Sequence, residues 1–134
     1  MSQGWLLDTN ILSDLVRNPA GRVAERIRQC GETNVRTSIV VAAELRFGAA
    51  KKSSERLTAQ LEAILGVIEI LPLAQPVDHI YGSIRAALEG AGTPIGGNDL
   101  LIAAHAMASD CILVTDNERE FSRVEGLSIE NWLR

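Results

Sequence analysis

"GWLLDTNILSDL", residues 4–15, changes rhythm at one residue. Up to Leu7 it is a short apolar run, the pattern of a strand buried on both faces. From Asn10 onward Ile11, Leu12 and Leu15 recur at helical spacing. Asp8 stands at the junction. A strand that passes straight into a helix opens a β–α unit, and repeated units of this kind build a mostly parallel sheet. An acid at that junction has two readings. It caps the coming helix by accepting its free N–H groups, or it is one wall of a site, because parallel sheets carry their sites beyond the carboxyl ends of the strands.

Working outward, the unit repeats. "VRTSI" (35–39), "VIEIL" (67–71), "CILVT" (111–115) and "LSI" (127–129) join "GWLL" (4–7) as strands. Helices are expected over 10–18, stopped by Pro19, over 20–30, stopped by Gly31, and over 40–52 and 54–65. Within 76–90, Val77, Ile80, Tyr81, Ile84 and Leu88 form one apolar stripe. "NDLLIAAHAMAS" (98–109) is apolar nearly all round, as a buried helix is. The expected fold is α/β, with helices covering both faces of the sheet. With no linker, repeat or low-complexity stretch, residues 1–134 read as one domain, a length that buries an adequate core.

Composition removes several function classes. No apolar run approaches the ~20 residues of a membrane span, and "MSQGW" lacks the basic-then-apolar order of an export signal. Cys30 and Cys111 form no CxxC pair, which suits a reducing cytoplasm and no zinc site. No Ser stands in GxSxG and no cysteine has an evident His partner, so covalent catalysis has no support. His105 reads as packing or surface, His79 as an exposed residue at a helix start, and Trp5 and Trp132 as core or rim. The formal charge of −4 is unevenly placed: residues 1–56 carry +3 and residues 57–134 carry −7. Such asymmetry marks either a basic face on an acidic protein or ordinary solvated helices.

The acids hold the chemistry. Asp116 follows "CILVT" as Asp8 follows "GWLL", and Asp99 opens its helix after Gly96-Gly97-Asn98. Each alone is a sufficient cap. Glu44 is different: it lies in mid-helix, on a stripe with Val40, Val41, Phe47 and Gly48 that is expected to face the core. Buried acids need a partner. Arg36 or Arg46 supplies one in a purely structural reading. If Glu44 instead converges with Asp8, Asp99 and Asp116, the carboxylates repel one another, and a hard dication such as Mg²⁺ or Mn²⁺ relieves them. Such an ion activates water and stabilises charge on a phosphoryl group, the chemistry of phosphodiester hydrolysis. Thr9, Asn10, Ser38, Asn98, Thr115 and Asn117 are placed to orient those acids, with Asn10 also a candidate cap of the first helix.

"LLDTNILS", "VVAAELRFG", "IGGNDLLIAAHA" and "LVTDNEREF" resemble, in order and spacing, the motifs of PIN-domain nucleases, and among these the VapC toxins of bacterial toxin–antitoxin pairs. The resemblance runs from about residue 4 to "LSIENW". It implies an α/β/α sandwich and a Mg²⁺- or Mn²⁺-dependent endoribonuclease, with catalytic and metal-binding acids at Asp8, Glu44, Asp99 and Asp116. The family varies at the last position, which leaves either Asp116 or Asn117 to complete the site. It further implies a homodimer, a larger assembly with a VapB-type antitoxin whose C-terminal segment covers the site, and RNA substrates that include tRNA, some cut at the initiator anticodon stem-loop. On that footing Arg17, Arg22, Arg26, Arg28, Arg46, Lys51, Lys52 and Arg56 are the candidate RNA-phosphate contacts. Two rivals remain. A receiver or aspartyl-phosphatase domain also binds Mg²⁺ at strand ends, but wants a late strand-end Lys or a DxD motif, and neither is present. A catalytically silent PIN module would only bind a partner.

Overall fold

The computed structural model describes residues 3–134; Met1 and Ser2, the first residues of the expected domain, lie outside them. The strands are β1 (Gly4–Leu7), β2 (Val35–Ser38), β3 (Glu69–Leu71), β4 (Cys111–Val114) and β5 (Ile129–Glu130). The helices are α1 (Thr9–Arg17), α2 (Arg22–Cys30), α3 (Ile39–Lys52), α4 (Glu55–Leu65), α5 (Val77–Gly90), α6 (Gly97–Ala108) and α7 (Glu118–Phe121). All strand pairs are parallel, in the order β3-β2-β1-β4-β5.

That order explains the layers. The chain steps from β1 through β2 to β3, then crosses back to the other side of β1. Right-handed crossovers therefore put α1–α4 on one face and α5 and α6 on the other. The contacts agree: α1 meets α2, α3 and α4, and α5 packs on α6. Leu6, Leu7, Ile11, Leu12, Ile102, Leu113 and Phe121 fill the core between the layers and are fully buried. Cutting such a side chain to Ala costs about 2–5 kcal/mol.

The reversal of direction opens a crevice where the loops after β1 and β4 diverge. Register fixes what lines it. Leu7 is level with both Thr37 and Val114, so Asp8, Ser38 and Thr115 leave the sheet together.

Several boundaries differ from the sequence expectation. Asp8, not Asn10, caps α1: its side chain accepts from the Thr9 N–H at 2.8 Å. Ile39 belongs to α3 rather than β2, and Val67 is exposed ahead of a shorter β3. β5 begins two residues later than expected, and α7 has no counterpart in the sequence pattern. That short helix is held by Phe121, a fully buried anchor in an otherwise charged tetrapeptide.

Candidate active site

Asp8 is the buried centre of the crevice, 4% exposed. Its Oδ1 accepts the Thr9 N–H and its Oδ2 accepts the Thr115 hydroxyl at 2.7 Å. Burial pushes its carboxyl above the ordinary range, the two hydrogen bonds oppose this, and Glu44 and Glu120 push it further. Thr115 in turn accepts the Asn117 N–H, which turns the chain at the end of β4. Asn10 accepts the Asp116 N–H at 3.1 Å and so ties the start of α1 to the same turn.

Glu44 corrects one expectation and satisfies another. Its stripe is a core face only in part: Val41 is fully buried, but Val40 is half-buried and Phe47 is 68% exposed. Nor does either arginine reach it, because Arg36 pairs with Glu69 and Arg46 grips Glu62. Instead the Thr9 hydroxyl donates to Oε1 at 2.7 Å and the Asn98 amide to Oε2 at 3.3 Å. Thr9 thus bridges the two acids, with its backbone on Asp8 and its hydroxyl on Glu44.

Asp99 projects from the first turn of α6 and is half-buried. Its carboxyl is pushed up to about 7, first by burial and then by the charges of Glu120, Asp8 and Glu44. Glu120 is the acid that sequence reasoning missed. It is carried by α7, accepts the Gly96 N–H at 3.0 Å and the Asn117 amide at 2.8 Å, and faces Asp99. A methyl group at Gly96 would lie 3.7 Å from an Asp99 oxygen and 4.0 Å from one of Glu120, which places this backbone beside both acids. With those donors on it, Glu120 is held below the ordinary range and Asp99 keeps the proton the two compete for. The only signal in the sequence is Phe121 after three charged residues, an apolar anchor that would fix a turn of helix and its neighbour.

Asp116 does not join them. Its Oδ1 accepts the Asn131 amide at 3.0 Å and pairs with Arg134 at 3.2 Å, and these donors hold its carboxyl below the ordinary range. Ser38 likewise departs from its expected place among the acids: it caps α3 and bonds His105. Thr9, Asn98, Thr115 and Asn117 do touch site acids, and Asn10 orients the turn that follows Thr115.

The basic set divides. Arg26 pairs with Glu130, Arg28 with Glu25 and Arg46 with Glu62, while Arg22 donates to the Leu133 carbonyl. Arg17 and Lys52 line a groove of about 320 Å³ that begins at Thr9 and Glu44 and runs between α1, α3 and α4. Lys51 and Arg56 are exposed.

Among the described residues no three His, Cys, Asp or Glu side chains close into a cage on an ion. The donor set nonetheless suits a hard cation. The charges of Glu44 and Glu120 bear on Asp8, and those of Glu120, Asp8 and Glu44 bear on Asp99. The side chains that hydrogen-bond Asp8 and Glu44 are threonines and an asparagine, which are uncharged and do not offset that repulsion. An ion that binds through a few carboxylates and keeps its own waters needs no closed cage.

The frame is thus a parallel sheet whose central strand ends in Asp8, with Glu44, Asp99 and Glu120 brought to it by α3, α6 and α7. The PIN domain family model matches residues 5–127, and the chain belongs to that family. It is 36% identical to Ribonuclease VapC2 of Rickettsia felis over 130 residues, covering 96% of this chain and 97% of that protein. It is 37% identical to the tRNA(fMet)-specific endonuclease VapC of Shigella flexneri, with the same coverage. The crystal structure of VapBC2 from Rickettsia felis bound to a promoter DNA fragment superposes with a TM-score of 0.89 at 35% identity, over 96% of this chain and 98% of that one.

Proposed function

We propose that this protein is a metal-dependent endoribonuclease of the VapC type, a cytoplasmic toxin restrained by a VapB-like antitoxin. The observation that carries the reading is the acidic pocket shared by Asp8, Glu44, Asp99 and Glu120, in which burial first and then the neighbouring charges push the Asp99 carboxyl up to about 7. A purely structural network has no use for that repulsion; a cation site does. The relatives named as ribonucleases and solved with antitoxins support both the reaction and the partner. No helix among the described residues is long and apolar enough to cross a membrane.

In this reading Asp8, Glu44 and Asp99 hold a Mg²⁺ or Mn²⁺ ion, and Glu120 completes the set in place of Asp116. When bound, the ion lowers the pKa of a coordinated water and neutralises charge on the phosphate being cut. The chain's own parts then have defined tasks. Thr115 and Thr9 fix the Asp8 carboxylate in one rotamer, and Thr9 and Asn98 fix Glu44. Asn117 and the Gly96 N–H hold Glu120 ionised, so that it faces the cation beside Asp99 as a full charge. Arg17 and Lys52, which line the groove that starts at Glu44, offer cations to the flanking RNA phosphates. A homodimer and tRNA as the physiological RNA belong to the same proposal.

Purified protein given Mn²⁺ and total bacterial tRNA tests it, with mapping of new 5′ ends. Cleavage that EDTA stops and Asp8→Asn removes is expected. No cleavage of any RNA together with no Mn²⁺ binding would favour a silent binding module.

A further inference from the structure

α3 and α6 carry Glu44 and Asp99, and they touch over the end of the sheet. They are tied at two levels. At the outer level Asn98 of α6 reaches Glu44 of α3, at 3.3 Å and exposed to solvent. At the inner level His105 of α6 meets Ser38, the cap of α3, at 2.7 Å between Nδ1 and Oγ. Six residues separate Ser38 from Glu44 along α3, and six separate Asp99 from His105 along α6, an arm of about 9 Å on each helix.

The inner tie is buried. His105 is 2% exposed, and burial favours its neutral ring, in which one nitrogen donates and the other accepts. The Ser38 oxygen accepts the Val40 N–H at 3.1 Å, which caps α3, and meets His105 Nδ1 at 2.7 Å. The contacts run from Val40 to Ser38 to His105 and lock the start of α3 to α6.

We propose that His105 is a positioning residue of the active site: through Ser38 it sets the spacing of the helices that carry Glu44 and Asp99. The assignment rests on the cation site proposed above. His105 touches none of the acids, and its effect is through the two helix arms. Cutting the inner tie leaves α3 and α6 joined at the site by the long, exposed Asn98 bond alone, so the acids no longer hold the separation an ion requires.

The experiment measures Mn²⁺ affinity by calorimetry, the kcat and KM for RNA cleavage, and Tm without metal, for four variants. His105→Leu and Ser38→Ala cut the tie from opposite ends and are expected to weaken Mn²⁺ binding by about tenfold or more, the usual size of an outer-shell loss. The KM for RNA should stay put while kcat at limiting Mn²⁺ falls. His105→Asn, whose Oδ1 can accept the Ser38 hydroxyl, should recover most of the affinity. Ile84→Val, a core change on α5, which carries no residue of the tie, lowers Tm and should leave Mn²⁺ affinity as in the parent. If His105→Leu or Ser38→Ala lowers Tm but binds Mn²⁺ as the parent does, or if His105→Asn is no better than His105→Leu, the positioning role is overturned. A variant that fails to fold is replaced by the one that cuts the other end. A parent that neither binds Mn²⁺ nor cleaves RNA overturns the proposed function and this inference with it. With a parent that does both, the variants decide the role of His105 alone.

Discussion

Asp8 and Asp116 begin as twins. Each is the acid just past an apolar strand, β1 and β4 are neighbours in the sheet, and both strands point the same way. Their surroundings then separate them. Asp8 is sealed by Thr115 and Thr9 and raised by burial and by other acids. Asp116 stands one residue further from its strand, since Thr115 follows β4 first. That extra residue turns it outward to Asn131 and Arg134, its side chain 34% exposed and its carboxyl lowered. Position at a strand exit makes an acid available; the groups that close round it decide whether it is strained or satisfied.

The sharpest break in the comparison is expected in activity. Asp8→Asn should reduce RNA cleavage by more than about 100-fold, beyond the loss typical of outer-shell partners. Asp116→Asn should cleave as the parent does in the same Mn²⁺ titration. Equal losses in the two variants would restore Asp116 to the site.

Glu120→Gln sharpens the same contrast at a smaller scale. Its expected activity loss is on the order of tenfold. It also removes the largest neighbouring charge on Asp99. In metal-free protein, the Asp99 carboxyl followed by NMR should therefore titrate well below its parent value of about 7. Glu118→Gln, on the same short helix but bonded to Asn131, should move neither quantity. An unmoved Asp99 in Glu120→Gln would mean that burial, Asp8 and Glu44 raise it without Glu120.

What the sequence displays, and what it hides, follows the same division. The β–α alternation is legible because parallel strands are apolar throughout and their helices carry clean stripes, as in β1 with α1. Asp8, Glu44 and Asp99 can be found because each sits beside a strong local signal. Glu120 cannot, since its place depends on a four-residue helix whose only anchor is Phe121 and on a loop, Gly96, twenty-four residues earlier. Glu44 stands out in the pattern for a reason the structure only half shares: its helix face reads as core, whereas Val41 on that face is buried and Phe47 is open to solvent. Ser38 reads as a neighbour of the acids because nothing local reveals that its partner is a histidine sixty-seven residues away.

A third contrast lies in stability without metal. A carboxyl whose folded pKa is raised binds protons more tightly when folded, so the fold loses stability as pH climbs from the unfolded to the folded value. For Asp99 that window runs from 3.8 to about 7. Asp99→Asn should therefore melt higher than the parent at pH 7.5 in EDTA, by about 2–4 °C for each kcal/mol recovered, and the gain should shrink toward pH 4. Added Mg²⁺ should lift the parent and not the variant. A gain that is the same at both pH values would point to packing rather than charge.

Asp116 predicts the opposite sign and the smallest effect. Its folded pKa lies below 3.8, so its stabilisation is complete above the unfolded value and disappears as pH falls through the folded one. Asp116→Asn should melt slightly below the parent at pH 7, because Asn131 and Arg134 lose their charged acceptor, and the two proteins should converge as acid protonates Asp116 in the folded state. The pairing is exposed, and surface pairs of this kind contribute little, so salt should narrow the gap further. If Asp116→Asn instead melts higher than the parent at neutral pH, as Asp99→Asn is expected to, then Asp116 shares the repulsion of the pocket and the outward turn of its side chain is not how it sits in solution.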